Sequence, residues 1–503
     1  MDVNNFIAYL NKNNGWSLSS EYYGMIDEWK SWWDGYVPSF HEYSETGLDG
    51  ARHKRKLFKM GMAKKVCEDW ASLLLNDKTT ITVDDEKTAK WLYGSNDQTD
   101  GVLADLEFWD NANALVELEM RSGTAAFVMS CENASVEDGK LVPNKDAKIV
   151  MEYLPAENIL PITIRHKKVV ECAFLSEVIE KGEEYFYLQT HTLVQKTDEI
   201  GKPYTTYRIT NEYFNEIRSP LGITYEERPM KSVVRSYETG TDIPWFAIMT
   251  PNIVKNYIGS GGKGMGMAIF SDALDQIMHC DTAFNNYHRD IYLGGKKVFY
   301  SKKLIEESIG SDGHLHQVTP DDVQQQLFWQ DSNADPNTSA SVTDYNPALR
   351  TGENSQAVQD ALDYLSFKVG LGTHFYKFQN ASYTTAKEYV GSRQDMVQHA
   401  NKHQIKIEKA LKSIVKAIIW AGKNICGAPV NVDATIVINW DDSYITDTQT
   451  RQEQDKADAL DGFIPKYQYN MKYKGMSEEE ARRAVEEASK EMKPPQEENV
   501  IIE

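Results

Sequence analysis

From Thr384 to Cys426 the chain reads TTAKEYVGSRQDMVQHANKHQIKIEKALKSIVKAIIWAGKNIC, with Val390, Val397, Ala400, Ile407, Leu411, Ile414 and Ile418 at steps of three and four. Arg393 and Gln404 fill the remaining places in that series. Residues so spaced share one face of an α-helix, so the pattern predicts a single amphipathic helix over 384–426. Thr385 and Glu388 have the spacing of a capping box at its start, and Gly427 followed by Pro429 is a stop signal. At 1.5 Å per residue the helix would be roughly 60 Å long. That is several times an ordinary globular helix, so it is expected to run through more than one part of the molecule.

A chain of 503 residues has room for about three domains. Its 41% hydrophobic content suffices for real cores, the mean hydropathy of −0.53 is that of a soluble protein, and no apolar run has membrane-spanning length. MDVNNFIAYLNKNNGW lacks the basic and apolar regions of a secretory signal. Cys67, Cys131, Cys172, Cys280 and Cys426 stand singly, as expected of reduced thiols in a protein made in a cytoplasm. The net charge of −21 argues against a protein that grips nucleic acid through a concentrated basic face. It suits a surface past which a polyanion slides, although plain solubility explains it as well.

Along the chain, residues up to about 80 read as helical. Ile26, Trp29 and Trp33 share a face in GMIDEWKSWWDGY, more simply a packing face than a ligand platform. The next helix is expected within RHKRKLFKMGMAKKVCEDWASLLL, with Arg52 to Lys56 as a solvated start at the unfavourable end of the macrodipole. Another amphipathic helix is expected over 102–120. From 123 to 240 the β-branched and aromatic runs AAFVMS, KIVMEYL, ECAFLSEVIE, EYFYLQTHTLVQ and TYRITNEYF predict antiparallel strands, with a hairpin turn at Gly182. A helical part followed by a β-rich part makes the fold class α+β.

Pro244 to Tyr257 is an apolar connector into the glycine-rich residues 259–266, read as a hinge into a helix over 265–292. Asp281 and His288 lie in that helix's apolar series and suggest a face turned to a neighbouring chain or a channel. A further helix is expected over 354–370, with a compact mixed segment, 294–353, between the two. Residues 371–383 form an aromatic connector. VNVDATIVINWDDSY alternates as a buried strand, and terminal helices are expected at 448–461 and 478–492, the second capped by Ser477 and Glu480.

Sites of chemistry are not evident. The glycine-rich stretch fails as a phosphate loop, because Lys263 is followed by Gly264 rather than Ser or Thr. His399 and His403 lie four apart but lack the HExxH glutamate and a third ligand, so a structural or solvent-facing pair is expected. His314 and His316 have no obvious partner. No nucleophile elbow stands out. The expectation is therefore no catalysis, no cofactor and no metal.

The order of these parts resembles the portal proteins of tailed bacteriophages, particularly phages of Gram-positive bacteria. The similarity is carried by IDEWKSWWDGY, KVCEDWASLLLND, PWFAIMTPN running into GMGMAIFSDALDQIMHCDTAFNNY, and TTAKEYVGSRQDMVQHANKHQIKIEKAL, followed by NWDDSYITD and GFIPKYQY. The resemblance implies a homo-oligomeric ring, usually a dodecamer, at one capsid vertex of the virion. By position it implies a wing (1–255, with a strand in 427–445), a hinge and first stem helix (256–293) and a clip (294–353). It further implies a second stem helix (354–370), a tunnel loop (371–383), a long spine helix (384–426) and a crown (446–503).

The implied partners are double-stranded DNA in the channel, the terminase large subunit, scaffolding protein, major capsid protein and a head-completion or adaptor protein, with no membrane. The candidate DNA-facing residues are His374, Phe375, Tyr376, Lys377, Phe378, Gln379, Asn380 and Tyr383, with Lys368 on the stem. Phe328 and Trp329 are the candidate docking residues of the clip. On the residues alone, a nucleic-acid-processing enzyme with an unrecognised site, or a scaffold or adaptor outside the channel, stays open.

Overall fold

The fold is seen in a computed structural model that describes residues 3–46, 50–76, 78–94, 100–197, 201–220, 222–228, 234–256, 262–301, 306–309, 313, 315–318, 328–331, 342–377, 393–440, 455–460, 464–474, 476 and 478–491. Helix and sheet are mixed, as the α+β reading expects. The long helix is described from Gln394 to Asn424, about 46 Å of rise, and Thr385, Glu388 and Val390 lie outside the described residues. Its buried face carries Met396, Ala400, His403, Ile407, Leu411, Ile414 and Ile418. Gln404 is buried in the same stripe, so this polar break lies inside the chain's own core. Ile425 caps the helix and Gly427 follows at a φ of 69°, so the chain stops where the glycine signal placed it.

That buried face packs on the strand Phe246–Met249, on the helix Met62–Leu74, and on the strands Ala125–Glu132 and Lys148–Pro155. These three strands form one antiparallel sheet, ordered Phe246–Met249, Ala125–Glu132, Lys148–Pro155. The helix Phe108–Ser122 lies against Met62–Leu74 and completes the layer. It is separated from the short turn Val102–Asp105 by Glu107 at a φ of 47°, so the stretch expected as one helix over 102–120 is two.

The larger sheet runs Ser135–Glu137, Lys140–Val142, Ser236–Glu238, Pro203–Ser219, Glu183–Thr197, Lys168–Glu180, Ile159–Arg165, with Gly222–Glu227 also pairing Pro203–Ser219. The runs expected as antiparallel strands are strands, and Lys181 and Gly182 make the hairpin turn. The helix Val3–Asn14 seats Phe6 on this sheet, stacked 4.7 Å from Phe186 and edge-on to Phe214 and Tyr225. Burying such a ring stabilises by about 1.5–3 kcal/mol.

Three local readings are corrected. Arg52–Lys56 is not a helix start but a strand, paired with Glu42–Thr46. Opposite charges face each other across this exposed hairpin, with Arg55 Nε 3.4 Å from Glu45 Oε2, whereas five basic residues at a helix N-terminus would oppose its dipole. The helix begins at Met62, after Gly61. The strand expected in VNVDATIVINWDDSY is short: Ile436–Asn439 pairs with Thr80–Val83 and buries only Ile438 of its four residues. Between residues 455–460 and Glu478–Glu491 lies a further helix, Lys466–Lys474, started by Pro465. Ser477 lies outside the described residues.

The glycine-rich stretch also differs from a hinge over its described part. Met265, Met267, Ala268, Ile269 and Phe270 are buried, and the helix that follows begins only at Leu274. Gly266 is threaded between two elements: its N–H donates to Thr124 Oγ1 (2.9 Å) and its carbonyl accepts from Tyr22 OH (2.9 Å). A Cβ there would stand 1.9 Å from the Gly123 carbonyl oxygen. Gly266→Ala should therefore lower the unfolding free energy by on the order of 1–3 kcal/mol, read as a lower urea midpoint, while Gly352→Ala, which meets nothing within 4 Å, should leave the midpoint nearly unchanged or raise it. Equal midpoints for the two variants would show that the close approach is absent in solution.

Glu119 is wholly buried, with neither carboxylate oxygen hydrogen-bonded, and desolvation pushes its pKa up from 4.5 to about 8. Between these values the folded chain keeps a proton that the unfolded chain has lost, so stability falls as pH rises through this window and levels off above it. The slope contributed is at most about 1.4 kcal/mol per pH unit. Urea titrations of Glu119→Gln and the parent should diverge in the variant's favour from pH 5 to pH 8. A difference that is constant with pH would mean the carboxyl is ionised inside the fold.

Candidate functional site

Two helices, Leu274–Leu293 and Thr351–Lys368, pack antiparallel and lead into the segment singled out by the sequence. Asp290, near the end of the first, binds the start of the second. Its Oδ1 accepts from Arg350 Nη2 (2.8 Å), and its Oδ2 accepts from Asn354 Nδ2 (3.0 Å) and the Arg350 N–H (3.1 Å). The Arg350 hydrogen bond holds the Asp290 carboxyl below its usual range.

Asp281, expected to face a neighbour or a channel, is instead buried inside the chain's own fold. Its Oδ1 accepts the Met60 N–H at 2.7 Å, and its Oδ2 lies 3.2 Å from Nε2 of buried His41. His288 packs on Phe58, with ring centroids 3.8 Å apart. A polar break in an apolar stripe therefore marks a tether to the N-terminal part, which periodicity cannot distinguish from an exposed contact.

The helix Thr351–Lys368 ends in a Schellman motif. Leu371 N–H donates to Ser366 O (2.9 Å), Gly370 N–H donates to Phe367 O (3.2 Å), and Gly370 has a φ of 83°. The turn brings Gly370 against the His399 ring of the long helix. Trp70 Nε1 donates to the Val369 carbonyl at 3.2 Å and ties the same corner to the core.

From here the chain folds back on itself. Gln359 Nε2 donates to the Tyr376 carbonyl (2.7 Å), and His374, at a φ of 63°, sets Nδ1 2.5 Å from Asp363 Oδ2. Phe375 and Tyr376 meet edge to face at 5.0 Å, both half-buried against the main core, with the Arg393 guanidinium 5.9 Å from the Phe375 ring. Burial first, and then the Asp69 carboxylate, raise the Tyr376 pKa. Lys377 is exposed at the rim of a cavity of about 440 Å³ shared with Lys65, Asp69, Phe375 and Tyr376.

Lys368 is exposed at the end of its helix, one turn from exposed Tyr364 and next to exposed Phe367. Phe378, Gln379, Asn380 and Tyr383 lie outside the described residues. The structure thus packs Phe375 and Tyr376 against the core, pairs the exposed His374 with Asp363, and leaves Lys368 and Lys377 facing solvent.

Phe328 and Trp329 lie on the strand Phe328–Asp331, parallel to Lys297–Ser301, which also pairs antiparallel with Val342–Tyr345. His403 is buried, accepts the Asn252 N–H at Nδ1 (3.1 Å) and packs on Trp70, and burial lowers its pKa to about 4. It is therefore a neutral core residue, while His399 stays exposed. His314 lies outside the described residues. Among the described residues no group of three or more His, Cys, Asp or Glu is placed to hold a metal ion, and no helix is long and apolar enough to cross a membrane.

Comparison with curated protein sequences finds no match. Among solved structures, a chain from "Neck of native GTA particle computed with C12 symmetry" is similar over 81% of this chain and 88% of that one, at 9% identity and a TM-score of 0.35. The family model described as "Phage portal protein, SPP1 Gp6-like" matches residues 18–494. With nearly its whole length matched, the chain belongs to the SPP1 Gp6-like family of phage portal proteins.

Proposed function

We propose that this portal protein forms a homo-oligomeric ring, a dodecamer in the particle, at one vertex of a phage capsid, and that DNA enters and leaves through the ring. The observation that carries the reading is the family match over residues 18–494, a family of structural virion components. In this reading residues 1–255 with 427–445 are the wing, 256–293 and 354–370 bring in the stem helices, and 294–353 is the clip. Residues 371–383 are then the tunnel loop, 384–426 the spine and 446–503 the crown. The clip, with Phe328 and Trp329, docks the terminase large subunit and later a head-completion or adaptor protein, while other faces meet scaffolding protein and major capsid protein. The ring lies in the virion and is assembled in the host cytoplasm, with ATP hydrolysis left to the terminase.

Two physical features support this reading. The paired helices expose large apolar groups, with Tyr292 71% and Tyr364 and Phe367 each 65% exposed, a pattern that a neighbouring copy would cover. The net charge of −21 gives passing DNA little counterion release, so it slides rather than lodges, with Lys377 and Lys368 as transient phosphate contacts.

Electron micrographs of the purified protein should show rings with a central hole. Tyr364→Asp combined with Phe367→Asp should shift the population to smaller species on gel filtration without loss of helical signal. Monomers under all salt conditions for the parent would sink the ring reading. Lys377→Glu should shorten the packaged DNA, and an unchanged length would exclude a contact role for that lysine.

A further inference from the structure

We propose that the cavity between the hairpin turn at 165–168 and the middle of the long helix is a binding site for a phosphate-type oxyanion. The cavity, about 210 Å³, is lined by the ammonium-bearing side chains of Lys167, Lys168, Lys406 and Lys409 and by the hydroxyl residues Thr250 and Ser413. No acidic residue lines it, and among the described residues none of the four lysines has an ion-pair partner. Some lysines of this acidic chain do have a carboxylate partner: Lys65 pairs with Asp69, Lys196 with Glu238, and Lys412 with Glu408 on the long helix itself.

The cluster is also placed at a conformational cost. Arg165 pairs with Lys168, so His166 and Lys167 form a two-residue turn, at φ values of 50° and 63°. A turn of this kind is relaxed with Asn-Gly, and two non-glycine residues in the left-handed region store strain, as is common at ligand sites. From the other side Lys406, Lys409 and Ser413 follow the three/four spacing that puts them on one helix face.

Burial, with Lys168 and Lys406 nearby, holds the Lys409 pKa below its usual value, as expected where cations converge without a counter-charge. Glu119, whose carboxyl interacts with Lys406, is largely protonated at pH 7 and supplies little. Lysines act on phosphate as point charges that need no planar match, and the cavity is large enough for a phosphate and the group attached to it. The phosphate can be free inorganic phosphate or a unit of a DNA backbone.

Isothermal titration of the purified full-length chain at constant ionic strength tests the site without requiring rings, so its outcome is separate from the portal reading. The parent should bind inorganic phosphate saturably. Lys406→Ala with Lys409→Ala should weaken binding at least tenfold, and Lys406→Arg with Lys409→Arg should keep most of it. Lys412→Ala, on the same helix but outside the cavity, should bind as the parent does. If a 16-base-pair duplex displaces the phosphate and loses the same factor in the double alanine variant, backbone phosphate is the occupant. If phosphate binds and the duplex does not compete, the free anion is. Absence of saturable phosphate binding, an unchanged affinity in the double alanine variant, or an equal loss in Lys412→Ala would each overturn the proposal.

Discussion

Burial of the apolar face of the helix Gln394–Asn424 against the strand Phe246–Met249 and the helix Met62–Leu74 is the interaction on which the remaining placements depend. Along this face Ile407, Leu411, Ile414 and Ile418 are wholly covered, each worth about 1.5–3 kcal/mol of burial. Because the side chains of a helix repeat every 3.6 residues, fixing the apolar face inward also fixes what the other faces do. Lys406 and Lys409 are turned toward the hairpin at 165–168, while His399 is held against the turn at Gly370. One packing event therefore positions both the lysine cavity and the corner from which the 371–377 segment departs.

That corner is held by polar tethers, and at those of Trp70 and Asp281, which are buried, an unmade hydrogen bond would cost more than a made one yields. Trp70 fixes the Val369 carbonyl, Asp281 ties the helix Leu274–Leu293 to His41 and Met60, and Asp290 joins the two helices through Arg350 and Asn354. Together they tie the helix pair to the core and its two helices to each other. The pair leaves large apolar side chains outside, Tyr364 and Phe367 among them. Within the portal reading, this is how a subunit can carry a preformed edge for its neighbour.

The parts most legible in the sequence were those governed by local repetition. The stripe of the long helix and the antiparallel runs between 123 and 240 each repeat at the period of the element they form, and Gly182 marks the turn between two such runs. Readings failed where the deciding partner was far away in sequence. Arg52–Lys56 became a strand because Glu42–Thr46 offers opposite charges and ladder bonds. The glycines before Phe270 looked like a hinge, yet Gly266 is small so that the chain can pass Gly123 and Tyr22. Of the candidate site, the aromatic character of 375–376 was visible, but not that these rings pack into their own core.

The amino-acid sequence by itself determined the family, the order of helical and β-rich parts and the direction of the long helix's apolar face, because these follow from periodicity and from motifs of consecutive residues. Only the tertiary structure decided that Asp281 and His403 are internal, that Lys377 and Lys368 stay in solvent, and that Lys167 and Lys168 meet Lys406 and Lys409. Residues some 240 positions apart share a site only after the sheet and the helix have packed. Burial and charge pairing depend on those neighbours rather than on the neighbours in the chain.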